Sequence, residues 1–218
     1  MRLAEIWRYP VKSMAGERLA AAELRTDGIA GDRLVQAWDE RGRVVTARTK
    51  PGLRGHRGTI GEDGAPRVDG LPWADPEVTR RVEAAAGRGV RLRRFEGEER
   101  FDILPLLVAT DGSLAGFGRD PRRLRPNLVI SGVEGLAERE WEGRAIRVGQ
   151  ALVGLADLRG RCVMTTWDPD TQVQDVAVLR DIARRFDGRL CLNAAVLQPA
   201  RIAVGDEVEL LGPWTPER

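Results

Sequence analysis

The chain has 218 residues, of which 42% are hydrophobic and 31% are charged, and its formal net charge is +2. These values are typical of a soluble globular protein of one or two domains and argue against a strongly basic nucleic-acid-binding surface. No apolar run approaches the ~20 residues of a membrane span, so we expect no membrane partner. Two distant cysteines give no disulfide framework, which favours a cytoplasmic location, and a single histidine argues against a Ser-His triad.

Most of the chain predicts short strands. Alternating apolar and polar residues, with β-branched and aromatic types, are bounded by turns rich in Gly, Pro and Asp. The predicted strands cover residues 2–11, 33–39, 43–47, 104–109, 128–131, 145–148, 151–155, 163–167, 190–198 and 202–211. Arg41-Gly42 and Gly149-Gln150 are typical of hairpin turns. Many short strands with few helices favour a mainly β, barrel-like architecture in the α+β class.

Two segments predict helices. In the first, residues 76–86, Asp75 would cap the N-terminus and Gly87 would end the helix. In the second, residues 175–186, Gly188 would be the terminating residue. The predicted buried face of the first helix consists of Val78, Val82, Ala85 and Ala86. The predicted buried face of the second helix consists of Val176, Leu179, Ala183 and Phe186.

The segment around Cys162, RCVMTTWDPDT at 161–171, is the most informative stretch of the chain. A cysteine thiolate is both a soft metal ligand and a nucleophile, and the adjacent Arg161 favours the thiolate form. The alternative is a buried free cysteine that acts as a small hydrophobic residue, which is what we expect of Cys191. The Asp168-Pro169-Asp170 run predicts a turn rather than an acid–base pair.

Five segments of the chain, in order, resemble one protein family. They are YPVKSMAG at 9–16, GDR at 31–33, RPNLVISG at 125–132, the cysteine segment at 161–171 and IAVGDEV at 202–208. On these segments the chain resembles the molybdenum cofactor sulfurase C-terminal (MOSC) domain proteins, and among them the amidoxime-reducing component family. The resemblance implies an N-terminal MOSC-type β domain at 1–98 and a β-barrel MOSC domain at 99–213. It also suggests that the first strands contribute to the barrel.

The same resemblance implies a molybdenum–molybdopterin cofactor and the residues that would bind it. Cys162 would coordinate the molybdenum and be the catalytic residue. Guanidinium groups suit a phosphate or the polar edge of a pterin, because they donate parallel hydrogen bonds. The cofactor would be held by Lys12, Ser13, Arg33, Arg125, Arg161 and, as a weaker candidate, Asn127. The resemblance also implies pyridoxal phosphate as an alternative ligand of this chain.

Each of these candidates has an ordinary structural alternative. The 35 basic residues include only two lysines, Lys12 and Lys50, so most basic residues are arginines that decorate a solvated surface. Ser13 would be a turn residue, and Asn127 would hydrogen-bond to the backbone at a strand start. The family pattern is also broken in places. Ile103 and Leu104 stand where the relatives have hydroxyl residues. Gly160 stands where they often have serine, and Gln172 stands where they have glycine.

Two functions follow from the resemblance. The first is a molybdenum-dependent reductase of N-hydroxylated small molecules. Its electrons would come from a separate donor protein of the ferredoxin, flavoprotein or cytochrome type, because the chain has no cysteine cluster for an iron–sulfur centre. The second is a sulfur carrier or cofactor-handling protein, in which Cys162 would carry a persulfide. A binding protein that holds the cofactor without turnover is a third alternative.

Overall fold

The computed structural model describes residues 1–214. Within them the chain forms seventeen strands and three α-helices, so the predicted mainly β, α+β class is confirmed. The strands are β1 (Arg2–Arg8), β2 (Glu17–Leu19), β3 (Ala21–Arg25), β4 (Gly28–Ile29), β5 (Val35–Trp38), β6 (Val44–Val45), β7 (Gly58–Ile60), β8 (Pro66–Val68), β9 (Leu71–Pro72), β10 (Arg91–Arg94), β11 (Leu106–Thr110), β12 (Leu128–Ser131), β13 (Arg144–Val148), β14 (Ala151–Gly160), β15 (Arg189–Gln198), β16 (Ala200–Ala203) and β17 (Val208–Pro213).

The helices are short. They are α1 (Pro76–Ala86), α2 (Asp111–Phe117) and α3 (Ala177–Phe186), of which α1 and α2 have side-chain caps at their N-termini. The predicted α1 is confirmed at both ends: the Asp75 carboxylate accepts a hydrogen bond from the Glu77 amide at 2.7 Å, and Gly87 follows with φ at 117°. Helix α2 was not predicted from the sequence; Thr110 and Ser113 cap its N-terminus reciprocally. No helix in residues 1–214 is long and apolar enough to cross a membrane.

Eight strands form the main sheet. Their order is β17-β13-β14-β15-β11-β12-β1-β2, and every neighbouring pair is antiparallel except β11 and β12. The sheet curls until β1 meets the segment before β17. The Leu3 amide donates to the Asp206 carbonyl and the Val208 amide donates to the Met1 carbonyl, both at 2.9 Å. These bonds give a barrel-like curvature, although no continuous ladder joins β1 to β17 in the described residues.

Three smaller sheets pack around this curved sheet. Their strand orders are β10-β5-β6, β16-β3-β4 and β7-β8-β9. The main core lies inside the curved sheet, and a second core forms where β5 and β8 pack beneath α1. Val11 and Met14 belong to the second core and flank Lys12 and Ser13. Packing of apolar side chains therefore fixes the backbone of this candidate segment.

The segment after Cys162 corrects one prediction. Residues 163–167 do not continue the sheet, because Val163–Thr166 is a 3-10 helix. The Thr165 hydroxyl donates to the Cys162 carbonyl at 2.9 Å, and the Thr166 hydroxyl donates to the Val163 carbonyl at 2.7 Å. These local bonds satisfy carbonyl groups that a sheet ladder would otherwise use, so the chain leaves the sheet at Cys162.

The buried face of α3 was predicted correctly only at Phe186. Its buried side chains are Val178, Ile182 and Phe186, which follow one another at intervals of four residues. Val176 precedes the helix and is 50% exposed, and Ala183 is exposed. The helix ends at Phe186, as predicted, but its C-cap is Asp187, with φ at 53°, one residue before the predicted Gly188. The predicted strand at 202–211 is likewise two strands, β16 and β17, separated by a turn.

The main sheet crosses the predicted boundary between residues 1–98 and 99–213. Strands β1 and β2 come from the first part of the chain and extend the sheet built by the second part, through pairing of β1 with β12. The proposed division at residue 98 remains a prediction. The two parts share one main sheet, so residues from both approach each other at its strand ends.

Candidate functional site

One cavity brings together all seven residues that the sequence singled out. It contains about 810 Å³ of space, solvent at its mouth included. The seven residues lie in loops that follow or precede strands of the fold. They are Lys12, Ser13, Arg33, Arg125, Asn127, Arg161 and Cys162.

Cys162 is a partly exposed free thiol immediately after β14. Its backbone is fixed by the Thr165 amide and hydroxyl, which both donate to its carbonyl, at 3.0 and 2.9 Å. Met164 packs against the second core, so the segment is held on the side of the N-terminal residues. The thiol is therefore presented to the cavity by a short, locally hydrogen-bonded helix rather than by a flexible loop.

A cluster of charges that sequence reasoning missed lies in the same cavity. The carboxylate of Asp102 pairs with Lys12 at 3.2 Å, with Arg48 at 2.6 Å and with Arg159 at 3.3 Å. The pKa of Arg48 is raised above its ordinary value, because Asp102 and Cys162 outweigh the opposing effect of burial. Arg48 and Arg161, the cation expected from the sequence to act on this thiol, line the same cavity as Cys162.

Burial and neighbouring charges shift the pKa values of Lys12 and Asp102 in opposite directions. Burial lowers the pKa of Lys12, and the nearby Asp102 only partly offsets this effect. Burial alone would raise the pKa of Asp102, but the charges of Lys12 and Arg48 hold it below its ordinary value. Asp102 is thus a stable carboxylate among cations at neutral pH.

Asp32 is a fully buried carboxylate that organises one wall of the cavity. It accepts hydrogen bonds from the Tyr9 amide at 2.6 Å, from the Asn127 amide side chain at 3.2 Å and from Arg33. Burial raises the pKa of Asp32, although Arg33 opposes the shift. Asn127 also donates to the Trp7 carbonyl at 3.1 Å and accepts from the Leu107 amide at 3.2 Å. Both Asn127 donors are therefore used inside the protein, and this residue positions its neighbours.

Three of the predicted site residues adopt left-handed backbone conformations. The φ angles of Ser13, Arg33 and Arg125 are 74°, 52° and 57°. Such angles are uncommon for residues other than glycine, and they often cluster at functional sites. The Ser13 hydroxyl oxygen accepts a hydrogen bond from the Ala47 amide at 3.0 Å, so this serine joins its segment to the one that follows β6.

Arg161 and Cys191 lie behind the thiol. The Arg161 guanidinium donates to the Leu124 carbonyl at 2.6 Å, while its buried Nε has no partner among the described residues. Burial lowers the pKa of Arg161, and the two cysteines oppose the shift. Cys191 is completely buried, as predicted, and burial raises the pKa of its thiol to about 11.

A second cavity is lined by Tyr9 and Arg125, of which Arg125 also lines the first. It contains about 770 Å³ of space, solvent included. Buried Arg54 lines it and donates to the Trp167 carbonyl at 3.0 Å and to the Met164 carbonyl. Burial and the charges of Arg125 and Arg123 lower the pKa of Arg54 to about 10. The two cavities therefore share a wall that contains a concentration of positive charge.

The Asp168-Pro169-Asp170 run forms a turn, as predicted. Asp168 accepts hydrogen bonds from the Asp170 and Thr171 amides at 3.1 and 2.9 Å, and it pairs with Arg123 at 2.8 Å. Asp170 pairs with Arg122 at 2.6 Å. These carboxylates are fully engaged in holding the loop after Cys162 in place.

Two family models match most of the chain. The MOSC N-terminal beta barrel domain matches residues 1–99, and the MOSC domain matches residues 112–209. The chain belongs to the MOSC family. In this MOSC protein, both matched segments contribute to the cavity. Lys12, Ser13 and Arg33 come from the first, and Cys162 comes from the second.

The MOSC protein is similar over most of its length to mammalian relatives. Mouse mitochondrial amidoxime-reducing component 1 is 27% identical, over 96% of this chain and 82% of its own length. Human mitochondrial amidoxime reducing component 2 is 28% identical, over 87% of this chain and 72% of its own length. Among solved structures, the YuaD protein from Bacillus subtilis covers 96% of this chain and 94% of that one, with a TM-score of 0.47 and 13% identity.

Proposed function

We propose that this MOSC protein binds a molybdenum–molybdopterin cofactor and reduces N-hydroxylated small molecules. The observation that carries the proposal is the position of one accessible thiol, Cys162, in a cavity lined by one lysine and six arginines. The similarity to amidoxime-reducing components supports the substrate class.

The residues of the cavity fit the chemical groups of such a cofactor. A phosphate and a polar pterin need cationic donors, and Asp102 is the only acid among the described residues that line the cavity. The buried Arg161 Nε, which has no partner within residues 1–214, is a donor available to an acceptor. A cysteine thiolate is a suitable soft ligand for the metal.

We assign the roles as follows. Cys162 ligates molybdenum, and Lys12, Ser13, Arg33, Arg125 and Arg161 hold the cofactor. Asn127 acts through Asp32, because it fixes the carboxylate that orients Arg33. When bound, the cofactor supplies a two-electron reduction that converts N–OH and two protons to N–H and water. The protein's own contribution is to orient this group and to neutralise its charge.

The electrons come from a separate donor protein. The two cysteines of the chain, Cys162 and Cys191, cannot hold an iron–sulfur centre, and Cys191 is buried. A ferredoxin, a flavoprotein or a cytochrome meets this requirement. A cytoplasmic location and pyridoxal phosphate binding stay predictions from the sequence.

The test is to express the protein in a host that makes the cofactor and to measure molybdenum and a fluorescent pterin derivative per chain. With reduced viologen as donor, the loaded protein should reduce a benzamidoxime or a hydroxylamine and should not hydrolyse esters. Molybdenum-loaded protein that reduces no N-hydroxylated compound, but transfers sulfur from a Cys162 persulfide, would replace this proposal with the sulfur-carrier function.

A further inference from the structure

Three cations from distant parts of the chain converge on one carboxylate. Lys12 follows β1, Arg48 follows β6 and Arg159 lies in β14, yet all three pair with Asp102 at 3.3 Å or less. Three positive charges therefore surround one negative charge, on side chains that are at most 45% exposed. Burial lowers the pKa of both Lys12 and Arg159 although Asp102 is present, so a single carboxylate compensates their charge incompletely.

Asp102 is held almost entirely by these ion pairs. In the described residues its carboxylate makes no hydrogen bond to the main chain, and its partners are Lys12, Arg48 and Arg159. It belongs to an irregular segment between the 3-10 helix Glu98–Arg100 and β11. Rotation of the side chain would therefore remove the carboxylate from the cluster without breaking a main-chain hydrogen bond.

We propose that Asp102 is an internal substitute for a phosphate group, and that a phosphate entering the cavity displaces it from Lys12, Arg48 and Arg159. A phosphate dianion supplies two charges and several acceptor oxygens, which match three cations better than one carboxylate does. The exchange makes Arg48 and Arg159, which the sequence did not single out, direct phosphate ligands. It depends on these four side chains alone and not on which molecule carries the phosphate.

The experiment measures binding of inorganic phosphate by calorimetry, against chloride at matched ionic strength. Asp102→Asn removes the competing charge, so we expect phosphate to bind roughly tenfold more tightly than to the wild type. Arg159→Gln should weaken binding several-fold, because one of the three cations is lost. The control, Asp181→Asn, removes a carboxylate that pairs with two arginines on α3, far from the cavity, and should leave phosphate affinity unchanged.

Thermal unfolding provides a second readout. Asp102→Asn should melt at a lower temperature than the wild type in chloride, and phosphate should close most of this gap. Equal or weaker phosphate binding by Asp102→Asn, or wild-type affinity in Arg159→Gln, would overturn the exchange. If Asp102→Asn folds in neither buffer, the exchange is also wrong, since phosphate fails to substitute for the carboxylate.

Loaded protein identifies the source of the phosphate. If the phosphate of the molybdenum cofactor occupies this position, cofactor-loaded protein should gain no stability from inorganic phosphate. If the gain persists after loading, a different phosphorylated ligand uses the position, and the exchange at Asp102 holds while the cofactor assignment for Lys12 fails. The inference and the proposed function therefore fail separately.

Discussion

The Arg125 guanidinium lies over the ring of Tyr9, with its central carbon 4.2 Å from the ring centre. Each side chain also donates a hydrogen bond: Arg125 donates to the Met14 carbonyl at 2.7 Å, and the Tyr9 hydroxyl donates to the Pro126 carbonyl at 3.1 Å. Stacking of a cation on an aromatic face contributes roughly 0.5–2 kcal/mol, with the larger values at desolvated sites. Arg125 lines both cavities and forms part of the wall between them, whereas Tyr9 lines only the second, so a ligand in either cavity contacts the same cation.

Tyr9 provides a spectroscopic test of this wall, because it is the only tyrosine in the chain. Burial raises the pKa of Tyr9 from 10.0 to about 12, although Arg125 and Arg33 oppose the shift. Ultraviolet difference absorbance should therefore show tyrosinate forming near pH 12 in the folded protein and near pH 10 in denaturant. A folded-state midpoint near pH 10 would mean that water reaches the Tyr9 hydroxyl.

Arg125→Gln should reduce cofactor occupancy more than it reduces folding stability. Loss of a charge-assisted hydrogen bond costs about 1.5–3 kcal/mol of binding, or roughly ten- to a hundredfold in affinity. Molybdenum content and melting temperature measure the two effects. The matched control is Arg147→Gln, which removes an exposed arginine on β13 that pairs with Glu209 at 3.1 Å. Unchanged occupancy with a lower melting temperature would make Arg125 purely structural.

Cys162→Ser should abolish molybdenum ligation and reductase activity, while Cys191→Ser should keep most of both. Serine replaces a soft sulfur ligand with a hard oxygen at position 162, but at position 191 it changes only packing. Molybdenum content, activity and melting temperature distinguish these effects. Wild-type activity in Cys162→Ser would remove this thiol from the mechanism.

The two thiols should also differ in reactivity. Because burial raises the pKa of Cys191 to about 11, its thiolate is scarce at pH 8 and alkylating reagents cannot reach it. Iodoacetamide should label only Cys162 in the native protein and both cysteines after unfolding, as mass spectrometry would show. Labelling of Cys191 at the same rate in the native state would contradict its burial.

Gln172→Gly should stabilise the loop after Cys162. Gln172 has φ at 57°, a conformation that costs roughly 1–2 kcal/mol for most residues, and its buried Oε1 has no partner in residues 1–214. Glycine removes both costs but loses the hydrogen bond from Nε2 to the Pro169 carbonyl and some chain entropy. We expect a net gain of about 1 kcal/mol in the free energy of unfolding. The control, Val173→Gly, replaces a neighbour whose φ is not positive and should lower stability.

The sequence predicted the elements whose signals are local. The Asp75 cap, the proline after it and the terminating glycine define α1 completely, and largely apolar runs predict β12 and β15 within a residue. Prediction from the sequence failed where a local hydrogen bond competes with the pattern of apolar residues. The apolar run Val163-Met164 reads as a strand, but the hydroxyls of the following threonines turn it into a 3-10 helix.

At the candidate site, too, residues with a local sequence signal were predicted and residues brought together only by the fold were not. Motif segments identified seven residues of one cavity, because those residues stand in recognisable strings. Arg48, Arg159 and Asp102 could not be selected, since each is an ordinary charged residue among many and meets the others only through the fold. One sequence signal was available: Asp102 lies in the segment where the family pattern is broken at Ile103 and Leu104.

The bond between the Leu3 amide and the Asp206 carbonyl has a consequence for biosynthesis. During translation β1 can pair at once with β2, but its other edge waits until β12 has been made, and the Leu3–Asp206 bond forms later still. Lys12, Asp102 and Arg159 come together only after β14 has been made. A cofactor bound between these residues therefore enters after that point, and the free edge of β1 needs protection until β12 pairs with it.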